Sequence, residues 1–203
     1  MKTLIAPLLV AVAALTPSAE AADADPAALV EVLRGGGHVV YIRHASTESD
    51  YADQVEAEIG DCASQRTLSE AGWDEAETIG AALDLLGVPV GAVYSSEYCR
   101  AWQTARIAFG KPIKDAGLNF PAAEDYSAED LATMKAAVTP YLTEAPLRGH
   151  NTIVVGHDDP FEAATGIYPE PQGVAYVVRP DGKTFEVLGA IAPGDWAGLL
   201  AAR

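Results

Sequence analysis

The chain has 203 residues, 49% of them hydrophobic, enough for one sizeable domain with its own core. Thirteen Lys and Arg against 29 Asp and Glu leave a net charge of −16, which disfavours nucleic acid and anionic membranes as partners. The same field repels phosphate esters, so any anion site must be local and built from a few arginines.

Lys2 gives a basic start, Leu4 to Leu15 is an apolar run, and Ala19-Glu20-Ala21 is a small-x-small cleavage site. This pattern predicts a secretory signal peptide over 1–21 and a mature domain over 22–203. The run is shorter than the ~20 apolar residues of a spanning helix. Cleavage removes Lys2 and Glu20 and leaves the charge at −16. The mature protein is expected to be periplasmic or secreted and free of the membrane.

Asp25-Pro26 to Leu33 predicts a short helix, closed by Gly35-Gly36-Gly37. Val39 to Ile42 reads as a buried strand. Glu48 to Gln65 is polar and irregular, the expected rim of a site. Ser69 caps a predicted helix through Leu86, with Ala76, Ile79, Leu83 and Leu86 on one face. Ala92 to Tyr94 is the next strand, and Tyr98 to Phe109 the next helix. Lys111 to Tyr126 is expected to be loop. Asp130 to Leu142 reads as a helix and Thr152 to Val155 as a strand. Ala175 to Val178 and Phe185 to Leu188 form a hairpin around Pro180-Asp181-Gly182. Alternating strands and helices imply an α/β sheet, mixed because of that hairpin. An even cysteine count in an exported chain points to a Cys62–Cys99 disulfide, the alternative being two buried thiols.

Three segments carry chemistry. Arg43-His44 follows the first strand, Arg100 lies in Ser95-Ser96-Glu97-Tyr98-Cys99-Arg100, and His157-Asp158 follows Val154-Val155-Gly156. Each alone is weak, but all follow short apolar runs, where an open sheet gathers ligand groups. Two arginine forks suit phosphate oxygens and stay charged. A neutral His44 can attack phosphorus and form a phosphohistidine. His157 can donate to an equatorial oxygen, and a carboxyl group should protonate the leaving oxygen.

With these residues the chain resembles the histidine phosphatase superfamily, which includes phosphoglycerate mutases, phosphohistidine phosphatases and histidine acid phosphatases. The resemblance runs from about Val39 to Val178. It rests on Arg43-His44-Ala45 with Thr47, Leu68-Ser69-Glu70-Ala71-Gly72, Tyr94-Ser95-Ser96 through Arg100 to Thr104-Ala105, and Val155-Gly156-His157. It implies a three-layer α/β/α sandwich around a mostly parallel mixed sheet, phosphoglycerate mutase-like. It implies His44 as nucleophile, Arg43 and Arg100 as phosphate ligands, His157 as second histidine, and Thr47 as a substrate contact. It implies no metal and no cofactor. Ala45 replaces the usual glycine. Asp50 stands where mutases place an asparagine, and the mutases' glutamate-containing tyrosine-glycine motif is missing; both argue against a mutase.

The acid stays open at this level. The acid-phosphatase branch implies Asp158. The mutase-like branch places it downstream of Arg100, where Glu124 and Asp125 are nearest, and some small members have none. Asp158 as a mere helix cap is the alternative to its catalytic role. His38 and His150 are expected to be structural or solvated, Arg66 to form a surface ion pair with a third phosphate ligand at the rim as its alternative, and Trp73, Trp102 and Trp196 to pack in the core or between helices. The expected function is an exported phosphatase acting on a small phosphomonoester or a phosphorylated protein side chain. A non-catalytic anion-binding domain and a mutase-like phosphotransferase are the alternatives.

Overall fold

The computed structural model describes residues 24–48, 57–122 and 125–203. The expected leader over 1–21, Asp50 and Glu124 lie outside the described residues. Strand β1 (Val39–Arg43) is buried on both faces along its length, which explains its unbroken apolar run. It pairs in parallel with β4 (Asn151–Gly156), bringing Arg43 opposite Gly156. On its other side it pairs antiparallel with β5 (Ala175–Pro180). With β2 (Val90–Ser95), β3 (Ile113–Lys114) and β6 (Phe185–Ile191) the order is β3-β2-β4-β1-β5-β6. The β2–β3 and β2–β4 pairs are parallel, and the β5–β6 hairpin is antiparallel, so the sheet is mixed.

Successive strand residues face opposite layers. Val40, Ile42, Ile153 and Val155 meet Leu33 of α1 (Pro26–Arg34), Ile79 and Leu83 of α2 (Glu70–Leu85), Ala101 of α3 (Cys99–Phe109) and Trp196 of α6 (Asp195–Ala201). Val39, Tyr41, Val154 and Tyr176 meet Val138 and Leu142 of α4 (Ala128–Thr143) and Phe161 of α5 (Asp158–Thr165). The result is the expected three-layer α/β/α architecture. Among the described residues no helix is long and apolar enough to cross a membrane.

Two local features set the site. Ser69 caps α2 by accepting from the Gly72 amide at 3.1 Å, and the Ser69 amide donates to the Ser46 carbonyl at 3.0 Å. A Cβ on Gly72 would lie 1.9 Å from that carbonyl oxygen, so only glycine lets α2 approach the turn after His44. The Cys62–Cys99 disulfide is present, with the Cα atoms 5.7 Å apart.

The expected loop over 111–126 is not wholly loop. It holds the two-residue strand β3 and a 3-10 turn at Ala116–Leu118, whose Leu118 is fully buried. Helix α6 was not foreseen; it is seven residues long and buries Trp196.

Candidate active site

The central strands β2, β4 and β1 are neighbours, and their carboxyl ends deliver Ser95-Ser96, His157 and Arg43-His44 to one place. His44 is fully buried. Its Nδ1 lies 2.9 Å from the Ala45 carbonyl oxygen, which can only accept, so Nδ1 carries the proton. Nε2 therefore presents a lone pair, and Arg100 Nε donates to it at 3.2 Å. Burial, and then the Arg100 charge, hold the imidazole well below its ordinary pKa. The ring is neutral, as a nucleophile requires. The Thr104 hydroxyl accepts from the Ala45 amide at 3.0 Å and ties α3 to this turn.

The His157 ring lies edge-on to His44, with centroids 5.4 Å apart. Its backbone is clamped by Tyr41, whose hydroxyl accepts from the His157 amide at 3.0 Å and donates to its carbonyl at 2.8 Å. Asn119 Oδ1 accepts from the Glu97 amide at 2.9 Å, so the Ser96 hydroxyl, 2.8 Å away, must donate to it. Ser96 then accepts from His157 Nε2 at 2.8 Å, which fixes the Nε2–H tautomer. Nδ1 is left as a buried nitrogen without a partner. Burial, then Arg100 and His44, push the His157 pKa well down.

A cavity of about 240 Å³ opens here, lined by Arg43, Arg66, Arg100, Phe120, Asp158, Asp159 and Tyr168. Arg66 therefore faces the site rather than serving only a surface pair. The Arg100 guanidinium lies 5.1 Å from the Tyr98 ring centroid and 5.2 Å from that of Phe120. Arg43 is almost fully buried and heavily engaged. Nη2 meets Asp158 at 2.6 Å, Nη1 meets Glu170 at 2.6 Å, and Tyr168 stacks 5.4 Å away. Thr47 sits beside Gln172, its amide donating to Oε1 at 2.9 Å, and is not part of the cavity lining. Among the described residues no group of three or more His, Cys, Asp or Glu could hold a metal ion.

A family model described as the histidine phosphatase superfamily (branch 1) matches residues 39–119, the stretch that carries Arg43, His44, Arg66 and Arg100. Over that stretch the chain is similar to the histidine phosphatase superfamily. The match supports phosphatase activity at a general level. Among curated proteins nothing matches this chain. Among solved structures, the chain is similar to a phosphoserine phosphatase from Entamoeba histolytica in complex with phosphoserine, at 12% identity and TM-score 0.57, over 77% of this chain and 97% of that one. It is also similar to the protein histidine phosphatase SixA complexed with tungstate, at 18% identity and TM-score 0.51, over 78% of this chain and 98% of that one. Both likenesses show a shared fold.

Sequence reasoning singled out the two Arg and two His of this candidate site, and the structure brings them together. It missed Asp159, Phe120, Tyr168, Gln65 and Asn119. Of these only Asp159 had a signal, because it neighbours the motif Gly156-His157-Asp158.

Proposed function

We propose that the chain is an exported phosphatase that hydrolyses phosphomonoesters, or phosphorylated protein side chains, through a phosphohistidine on His44. The observation that carries the reading is the His44 geometry: a buried neutral ring whose Nε2 lone pair meets Arg100 at the edge of an arginine-lined cavity. Phosphate oxygens compete for the Arg100 guanidinium and so free Nε2 for in-line attack. Arg43, held in place by Asp158 and Glu170, orients the phosphoryl group together with Arg100. A phosphate oxygen against His157 Nδ1 shares a single proton with it, because the other ring nitrogen donates to Ser96. The disulfide fits an oxidising compartment and supports export. The expected partners are small phosphorylated molecules or a phosphoprotein.

The test is a generic aryl phosphatase assay on wild type and His44→Ala. The substitution should lower turnover by several orders of magnitude, as loss of a covalent nucleophile does. Labelled phosphate should be trapped on the wild type after an acid-free quench and be absent from the variant. Full activity in His44→Ala would refute the mechanism. A folded but inactive wild type that still binds tungstate would favour an anion-binding domain.

A further inference from the structure

We propose that Asp159, rather than its neighbour Asp158, is the general acid that protonates the leaving oxygen. This rests on the phosphatase reading above and extends it. Asp158 and Asp159 open α5, and consecutive helix residues project roughly 100° apart, so they meet different surroundings. Asp158 accepts from Arg43 Nη2 at 2.6 Å and from the Tyr168 hydroxyl at 2.8 Å. A carboxylate held by a guanidinium serves to orient that arginine. Asp159 lines the same cavity but is held differently. Its one hydrogen-bond partner among the described residues is the Tyr126 hydroxyl, which donates to Oδ2 at 3.2 Å. A single donor on one oxygen leaves the other oxygen to carry a proton.

The charges around Asp159 favour the neutral acid. Burial raises its pKa most, and the Asp158 carboxylate raises it next. On its own helix Glu162 adds in the same direction. Tyr126, from the segment before α4, and Arg43, from β1, oppose them. Arg66 and Arg100 complete the charged lining of the cavity. A phosphate dianion in that cavity adds a further raising influence, so the proton is held best in the substrate complex.

The steps balance with water as the only co-reactant. The His44 Nε2 lone pair forms the N–P bond while the P–O bond to the leaving group breaks. The Asp159 proton passes to the departing oxygen, which leaves as the alcohol, and Asp159 becomes a carboxylate. That carboxylate then accepts a proton from water as its oxygen attacks phosphorus and the N–P bond breaks. Phosphate departs with both residues restored.

The experiment compares wild type, Asp159→Asn and Asp158→Asn on para-nitrophenyl phosphate and on 2-glycerophosphate, an alkyl ester that needs an acid. Thermal melts and labelling of His44 by the aryl ester confirm that each variant is folded. Asp159→Asn should lose about a hundredfold in kcat on the alkyl ester and no more than about tenfold on the aryl ester. Its alkyl pH profile should also lose the decline on the basic side, where a required acid deprotonates. Asp158→Asn should instead raise KM on both esters alike, through Arg43. Equal losses on both esters in Asp159→Asn, a selective alkyl loss in Asp158→Asn, or a wild type active on aryl but on no alkyl ester would each overturn the assignment. A wild type that forms no phosphohistidine overturns the underlying phosphatase reading and the acid with it, so the two failures are told apart.

Discussion

Reduction of the Cys62–Cys99 bridge should weaken both the fold and the site. The bridged residues are 37 apart in sequence. For a loop of that size the chain-entropy model gives about 4 kcal/mol of stabilisation. Set against the ~5–15 kcal/mol of a typical domain, that is a large share. At roughly 2–4 °C per kcal/mol for a chain of this length, the melting temperature should fall by about 8–16 °C. The bridge also sits where it can affect binding. Gln65, 2% exposed, accepts from the Cys99 amide at 2.7 Å and donates to the Glu58 carbonyl at 2.7 Å. The rim segment is thereby fastened to the start of α3, with Arg66 following Gln65 and Arg100 following Cys99. Loosening it should raise KM more than it lowers kcat, because two cavity arginines lose their common anchor. The assay is a thermal melt and a steady-state series with and without reductant, on protein prepared from an oxidising compartment. Gln65→Ala separates the two effects: it should reproduce most of the KM rise while costing only about 1–3 kcal/mol, the penalty of leaving a buried amide unsatisfied. Two alkylatable thiols in the unreduced protein, or melts and KM indifferent to reductant, would refute the reasoning.

Two further outcomes test the framework of the site. Gly72→Ala should cost about 1–3 kcal/mol in denaturant unfolding and also lower activity, because the new Cβ would press into the Ser46 carbonyl beside His44; unchanged stability would show that the turn yields freely. His44 and His157 are both held neutral, so below the unfolded histidine value of ~6.5 the unfolded chain binds more protons than the native one. Stability should therefore rise with pH through that window and fall as pH drops, and melts of the ligand-free protein between about pH 8 and pH 5 should show a flatter slope in His157→Gln; identical slopes would show that His157 contributes nothing.

The strand-end motifs were legible because each follows an apolar run that only a buried strand explains, as the fully buried β1 shows. The start of α2 was legible for a similar reason, since Ser69 has the chemistry of a cap and uses it. The missing elements carry no such signature. Both side chains of β3 are exposed, so they have no apolar period, and α6 buries one large residue in seven. Arg66 is adjacent to nothing diagnostic in the chain; only the return of the rim segment onto α3 turns it toward the cavity. The choice between Asp158 and Asp159 was beyond the sequence as well. They differ by one position, and what separates them is that one meets Arg43 and the other does not.

That difference bears on how a chain of net charge −16 can hold an anion at all. Surface carboxylates act across solvent in which charge is screened over ~8 Å, whereas the cavity charges act at contact. Within the cavity, the acids do not simply cancel the arginines. Asp158 and Glu170 close on Arg43 from two sides and fix a guanidinium that would otherwise be free to turn. Arg100 lies against the Tyr98 and Phe120 ring faces and donates to the His44 lone pair. Arg43 is therefore a fixed orienting group beside Arg100. A proton on Asp159 removes the carboxylate that would otherwise oppose an incoming dianion. The same proton serves binding first and leaving-group departure afterwards, so Asp159→Asn, which keeps the site neutral there, should preserve substrate affinity while losing the proton transfer. A KM on 2-glycerophosphate close to the wild-type value, alongside the fall in kcat, is the result this argument requires; a KM that rises in step with the loss would mean that Asp159 acts by holding the site together.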